Sequence, residues 1–176
     1  MKKILLSMLI AGFAFSENFI NLQITDDTVM FEGQAQIVNN KPVYARGGYL
    51  VNNKKDAVSD FGYIGLKTEG QAIGVDIPVK ISLIFDVVHI KNNTASPVGL
   101  GISTYLKQFS MPVFCRATYE YAPKILSYED AEKFSKIKAE AGIRFIENGE
   151  VFVGYRKIDF DDNYISNMYA GVGFVF

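Results

Sequence analysis

The residues able to do chemistry in this chain are spread along it at alternate positions and do not gather into a catalytic group. Glu32, Arg46, Lys80, Asp86, Arg116, Glu120, Lys138, Glu140, Arg144 and Arg156, with Gln34 and Gln36, fall on the polar faces of segments whose other faces are apolar. Taken together in one enclosed space, six basic and four acidic groups can neutralise one another, because charges removed from bulk water need partners. The same set could instead line a pore and tune its selectivity. His89, the single histidine, follows Asp86 by three residues and could serve with an acid or hydroxyl as a general base. A period of two places Asp86 and His89 on opposite faces unless a bulge intervenes, so the default reading is an exposed rim histidine. The segment Asp159-Phe-Asp-Asp-Asn163 begins like a calcium loop. It lacks the glycine at its sixth position, which is Tyr164, and the glutamate at its twelfth, which is Ala170. It reads as a solvated loop. With no G-x-S-x-G, Walker loop or metal cluster, no catalytic residue, metal site or cofactor is expected.

Side chains at these spacings must be positioned by extended strands. Val98, Leu100, Ile102, Thr104 and Leu106 alternate with Gly99, Gly101, Ser103, Tyr105 and Lys107. Val79, Ile81, Leu83, Phe85 and Val87 oppose Lys80, Ser82 and Asp86. Val29, Phe31, Gly33, Ala35 and Ile37 oppose Glu32, Gln34 and Gln36, and the 113–121 and 138–146 segments behave alike. Repeated segments of about ten residues with alternating polarity are the pattern of a transmembrane β-barrel. Ten strands are expected, at 18–25, 28–38, 42–52, 60–69, 76–90, 97–107, 112–122, 137–147, 150–159 and 166–176. Eight spans is the alternative count, since the first segment is short. The 60–69 strand has the weakest pattern: Phe61 and Tyr63 share a face with Lys67, and Ile64 and Leu66 share the other.

Connections at 26–27, 53–59, 91–96, 123–136 and 160–165 then share one end. Asn148-Gly149 reads as a tight type I′ hairpin turn at the other. Ser127-Tyr-Glu-Asp130 fits a helix capping box, and Glu129/Lys133 and Glu132/Lys136 are spaced as helical ion pairs, so a short helix over the mouth is expected. Aromatics near strand ends (Phe19, Tyr49, Phe61, Tyr63, Tyr119, Tyr121, Phe145, Tyr155, Phe174 and Phe176) suggest interfacial girdles.

The last strand ends the chain on Phe176, with Phe174, Val172, Ala170 and Met168 on the same face. This resembles the C-terminal signature by which bacterial outer-membrane barrels are read by the barrel-assembly machinery. At the other terminus, Lys2-Lys3 precedes an apolar run, Ile4 to Phe15, and Ala14-Phe15-Ser16 supplies small residues before Glu17. Residues 1–16 therefore read as a secretory signal peptide and 17–176 as one barrel domain. The apolar run is too short for a membrane-spanning helix, which needs about 20 residues.

Losing Lys2 and Lys3 from 18 basic residues leaves 16 against 19 acidic ones, a balance that argues against a nucleic-acid partner. The lone Cys115 cannot form an internal disulfide. Soluble barrels and sandwiches also alternate, with the apolar face inward. Glycines on the polar face and the terminal signatures favour apolar faces turned out to lipid.

Ile20-Asn-Leu-Gln-Ile-Thr-Asp-Asp-Thr-Val29, followed by Pro42-Val-Tyr-Ala-Arg-Gly-Gly-Tyr-Leu50, resembles the YfaZ-type family of small outer-membrane proteins. The resemblance extends to the glycine-rich 98–106 strand and the terminal phenylalanine. It implies a small barrel and transfers no catalytic residue. The fold expected is all-β, an antiparallel transmembrane up-and-down barrel of about ten strands in the bacterial outer membrane. Its expected partners are outer-membrane lipids and lipopolysaccharide, whose phosphates Lys54-Lys55 could touch, and the assembly machinery; the oligomeric state is left open. The function expected is structural or surface-interacting, with the lumen largely plugged. A narrow pore for ions or small solutes, and an outer-rim hydrolase using His89, are the alternatives.

Overall fold

The computed structural model describes residues 18–53, 60–72, 78–91, 93–106, 112–128, 132–161 and 163–176. Segment 1–16 and Lys54-Lys55-Asp56 lie outside them. Twelve strands are described: β1 (Phe19–Ile24), β2 (Thr28–Gln36), β3 (Val43–Asn52), β4 (Phe61–Gln71), β5 (Val79–Ile90), β6 (Asn93–Ala95), β7 (Val98–Leu106), β8 (Val113–Ala122), β9 (Ser127–Tyr128), β10 (Phe134–Ile146), β11 (Gly149–Phe160) and β12 (Asn163–Val175). Ten of them, all but the short β6 and β9, form a closed antiparallel up-and-down barrel in which each strand pairs with its sequence neighbours. The seam joins β1 to β12, from Phe19 opposite Val175 to Ile24 opposite Ala170. Reciprocal backbone hydrogen bonds of 2.8 and 2.9 Å between Asn18 and Phe176 extend it to the last residue.

Closure converts the period of two into an inside and an outside. Ile64, Leu66, Leu83, Leu100, Val153 and Met168 are exposed on the outer wall, Ile64 and Met168 by 70 and 72%. Glu32, Asp86, Glu120, Lys136 and Arg156 are buried within. This is the reverse of a water-soluble barrel, in which the apolar face fills the interior. The narrow cylinder places each inward glycine beside a bulky inward neighbour. Gly65 lies opposite Asp86 on β5, and a Cβ there would meet the Asp86 carboxylate and the Phe85 carbonyl. Gly154 stands opposite Tyr169 in the same way.

Two ends are distinct. The loop end carries the connections after β1, β3, β5, β8 and β11, with β6 and β9 inside two of them; the turn end carries those after β2, β4, β7 and β10 and both described termini. At the loop end β6 pairs with β9, two short strands from different connections. Ala95 of β6 belongs to a buried apolar cluster with Met30, Leu50, Phe61, Phe134 and Phe160. Leu126 packs against that cluster from outside the barrel strands.

Several local expectations are corrected. The last three strands run up to three residues further toward the loop end, because β11 and β12 turn tightly at Asp161, whose φ is 53°, instead of through a loop over 160–165. Ser127 and Tyr128 are extended, and Ser127 Oγ donates to the Pro123 carbonyl, so no helix starts there; Glu129 and Asp130 lie outside the described residues. Lys136 points inward from β10 and cannot meet Glu132 along a helix. The β10–β11 turn is Glu147-Asn148, and Gly149 already pairs with Ile146. Among the described residues positive φ outside glycine occurs only at Asn40, Lys91 and Asp161, so Asn148-Gly149 is no type I′ turn. A bulge at Phe145 takes up the register shift. Phe61 and Tyr63 are buried in the lumen rather than part of an outer girdle, and Phe19 faces inward at the turn end.

The crowding at Gly65 is directly testable. Gly65→Ala should destabilise the barrel by about 1–3 kcal/mol, because a Cβ there would meet the Phe85 carbonyl and Asp86 Cα as well as the Asp86 carboxylate, and the backbone of β5 cannot swing aside as a side-chain tip can. Denaturant titration of refolded protein followed by circular dichroism measures it; Gly70→Ala, where a Cβ meets nothing, should be near neutral.

Candidate functional site

The lumen is built in layers. At the loop end the apolar cluster fills the cross-section: Leu50, Phe61, Val88, Ile90, Phe134, Ile158 and Phe160 are completely buried. Phe61 stacks on Phe134 at 6.2 Å between ring centres, and Phe134 meets Phe160 edge-on at 5.4 Å. Aromatic contacts of this kind add to the area they bury.

Beneath this seal lies a layer of charge. Lys136 and Glu120 face each other across β10 and β8, 3.3 Å apart and both fully buried. Arg46 of β3 reaches Asp86 at 3.3 Å and Glu120 at 3.2 Å. Lys136 Nζ also sits 4.1 Å from the centre of the Tyr63 ring, which takes up part of the ammonium's lost hydration. Arg156 spends its donors on neutral acceptors, Gln23 Oε1 at 3.0 Å and Thr28 Oγ1 at 3.1 Å.

Next comes a layer centred on Glu32 and Glu140. Glu32 accepts from Tyr63 Oη at 2.7 Å, from Gln23 and from Lys138. Lys138 also pairs with Glu140 at 3.1 Å, and Glu140 lies 3.3 Å from Arg116 Nε and accepts from Tyr169 Oη at 3.1 Å. Nearest the turn end, Glu150 is held by Arg116 at 3.1 Å, Arg144 at 2.9 Å and the Tyr105 hydroxyl. Across the lumen Glu69 pairs with Lys67 and, at 3.5 Å, with Lys80.

Of the ten charged residues singled out from sequence, Glu32, Arg46, Asp86, Arg116, Glu120, Lys138 and Glu140 share one continuous network through the partners just given. Arg144 joins it through Glu150, and Arg156 through Gln23, which also bonds Glu32. Lys80 stands apart with Glu69 at the mouth, its side chain 48% exposed. Gln34 faces inward too and accepts from Lys67, whereas Gln36 reaches the Val38 and Lys41 carbonyls at the turn end.

Sequence reasoning missed Lys136, Glu150, Lys67 and Glu69. Continuing the alternation back from Arg144 through Glu140 and Lys138 reaches Lys136, and continuing it back from Arg156 reaches Glu150. Lys136 fell just outside the expected 137–147 strand, whereas Glu150, Lys67 and Glu69 lay within expected strands, on the inward face that alternation assigns them. His89 projects outward and is exposed, with Nδ1 3.1 Å from the Thr94 hydroxyl. Asp86 is on the opposite face. Asp161 Oδ1 accepts from the amides of Glu132 and Lys133 at 2.8 and 3.0 Å, so it ties one connection to another. Among the described residues no group of His, Cys, Asp and Glu is arranged to hold a metal.

Phe174 and Val172, with Ala170, are exposed on the outer wall beside the seam. Phe176 is half-buried and closes the ladder against Asn18. No family model, curated protein or solved structure matches the chain.

The fully buried pair gives a second test. Lys136→Met leaves Glu120 with Arg46 as its remaining cation and should cost about 3–5 kcal/mol, whereas Lys136→Met combined with Glu120→Gln should recover a large part of that loss. Denaturant midpoints of wild type, both single variants and the double variant form the cycle. Additive losses would show that the two side chains do not act as a pair.

Proposed function

We propose that this protein is a small outer-membrane β-barrel that conducts no ions and acts in envelope structure or surface interaction through its loop end. The observation that carries the reading is the inverted barrel: apolar side chains over most of the outer wall, charges inside, and a lumen stopped at one end by packed aromatics. An exposed apolar surface of this extent requires a nonaqueous surrounding, and in lipid a closed barrel leaves no backbone edge unsatisfied. Tyr49, Tyr119, Tyr121 and Tyr155 on the loop-end half of the outer wall, and Phe145 and Phe174 toward the turn end, are placed as interfacial anchors. The signal-like N-terminus and the terminal Phe176 support export and recognition by the assembly machinery. The resemblance to the YfaZ-type family supports the same class. The plug differs in kind from paired charges alone: the apolar cluster closes the loop end, and the ion pairs lie beneath it.

A pore would need a continuous polar path, and the completely buried cluster interrupts one. A rim hydrolase would need a group to orient His89; the contact its ring makes is to Thr94, and the neighbouring acid in sequence faces the lumen.

Planar-bilayer recording separates these readings. The wild type should give no steady conductance, while Phe134→Ala combined with Phe160→Ala should introduce one by thinning the seal. A reproducible wild-type conductance whose ion selectivity shifts in Arg116→Ala or Arg144→Ala would establish a pore instead.

The outer wall is tested separately by refolding into lipid vesicles. Leu100→Arg should cost about 2–4 kcal/mol at mid-depth, and Ser103→Arg, which faces the lumen, clearly less. A consistently larger loss for Ser103→Arg, and for Ser103→Lys against Leu100→Lys, would reverse the lipid-facing assignment.

A further inference from the structure

The lumen is not filled to its turn end. Among the charged layers, and open toward the turn end, lies a cavity of about 500 Å³, within the range that holds small-molecule ligands. Its wall includes Arg46, Lys67, Lys80, Arg116, Lys138 and Arg144, against the carboxylates of Glu32, Glu69 and Glu140. Its mouth is at the turn end, where the side chains of Lys80 and Arg144 are 48 and 29% exposed, in contrast to the completely buried cluster at the other end.

The charges within do not balance. Among the described residues, the acids facing the lumen are Glu32, Glu69, Asp86, Glu120, Glu140 and Glu150, and each lies within ion-pair distance of a cation. Every one of the six cations on the cavity wall is shared in those pairs, and two further cations, Lys136 and Arg156, lie deeper. Basic groups thus exceed acidic ones by two. Arg156 adds a buried positive charge whose hydrogen bonds go to neutral groups. A cup with low-dielectric walls and a single aqueous mouth focuses the field of such an excess on its opening. Donor capacity is also left over there. Arg144 Nε is buried without a hydrogen-bond partner, and so is the hydroxyl of Thr118, which lines the cavity. Arg116 and Arg144 converge on Glu150 and present planar guanidinium groups, the geometry that matches the oxygens of carboxylate and phosphate.

We propose that this turn-end cavity is a binding site for a small polyvalent oxyanion, a solute bearing carboxylate or phosphate groups that enters from the turn side. Lys80, Arg144 and Arg116 would hold its charged groups, and Thr118 its deeper oxygen. The proposal goes beyond the sealed-barrel reading and uses it only for the direction of entry.

The test is isothermal titration of the purified protein in zwitterionic detergent with inorganic pyrophosphate, and in parallel with citrate. Saturable binding of one or both at about one per chain is expected. Lys80→Gln and Arg144→Gln should each weaken it about tenfold. Lys157→Gln, on the outer wall, should leave it unchanged. Ser103→Arg places a long side chain in the cavity wall and should abolish binding while the barrel still migrates as a folded, heat-modifiable species. Absence of saturable binding of both probes would overturn the proposal, as would binding unaltered in Lys80→Gln, Arg144→Gln and Ser103→Arg. Tighter binding of calcium than of either anion would also overturn it. The titration is made in detergent and the conductance in bilayers, so failure here leaves the sealed-barrel reading to be judged by its own measurement.

Discussion

Closure of the β1–β12 seam is the constraint on which everything else in this molecule depends. A strand has two faces whatever it pairs with, but only a closed sheet makes one of them an interior. Six residue pairs and the Asn18–Phe176 hydrogen bonds accomplish this with the shortest wall strand, β1. Without the seam, the charges of β2, β3, β10 and β11 would sit on an open surface, each free to hydrate. With it they are confined to a cylinder in which every carboxylate must find a cation. Phe176 takes part through its backbone, which makes the last rung of the ladder with Asn18.

Confinement then dictates both the pairing and the glycines. Taking an ion out of water costs several kcal/mol, and mutual attraction offsets this only with close geometry and full hydrogen bonding. Glu32 illustrates the solution, with a phenol, an amide and an ammonium around one carboxylate. Such side chains need volume, and the neighbouring strand supplies it by having none: Gly48 lies between Glu32 and Tyr63 in the registers of β2, β3 and β4. The glycine-rich appearance of the inner face is therefore the counterpart of its long charged side chains.

How much of this could be read beforehand follows from how each feature is encoded. Alternation is local and regular, so the all-β barrel, its ten strands and the inner face of Glu32, Arg46 or Glu140 could be read from residue order. Strand ends are set by turns, and turns are decided partly by what lies across them. Lys136 carried a plausible helical spacing with Glu132, and nothing local could reveal that Glu120 awaited it two strands' length away in the chain. Phe61 and Tyr63 looked like girdle aromatics because they stand near a strand end; their register against β5 turned them inward. Asn148-Gly149 has hairpin composition, but the bulge at Phe145 moved the turn by one residue. The partition of the lumen into a sealed and an open part was not legible at all, because it depends on residues from nine different strands meeting at one end.

That partition has a functional consequence independent of any ligand. The apolar cluster is assembled from wall strands and roofed by Ala95 and Leu126, which come from connections. Those connections are in turn fastened to one another by the β6–β9 pairing and by Asp161 on the amides of Glu132 and Lys133. The roof therefore belongs to the packed interior, and displacing it would uncover apolar side chains to water. A device meant to open would place its weak contacts there, and the structure places fully buried apolar side chains. Among the described residues, the charged layers lie on the far side of that barrier, toward the turn end. Any partner met at the loop end must be recognised by the outer surface of the connections, and any solute met by the lumen must come from the opposite side, so the two ends of one small barrel are chemically separate surfaces.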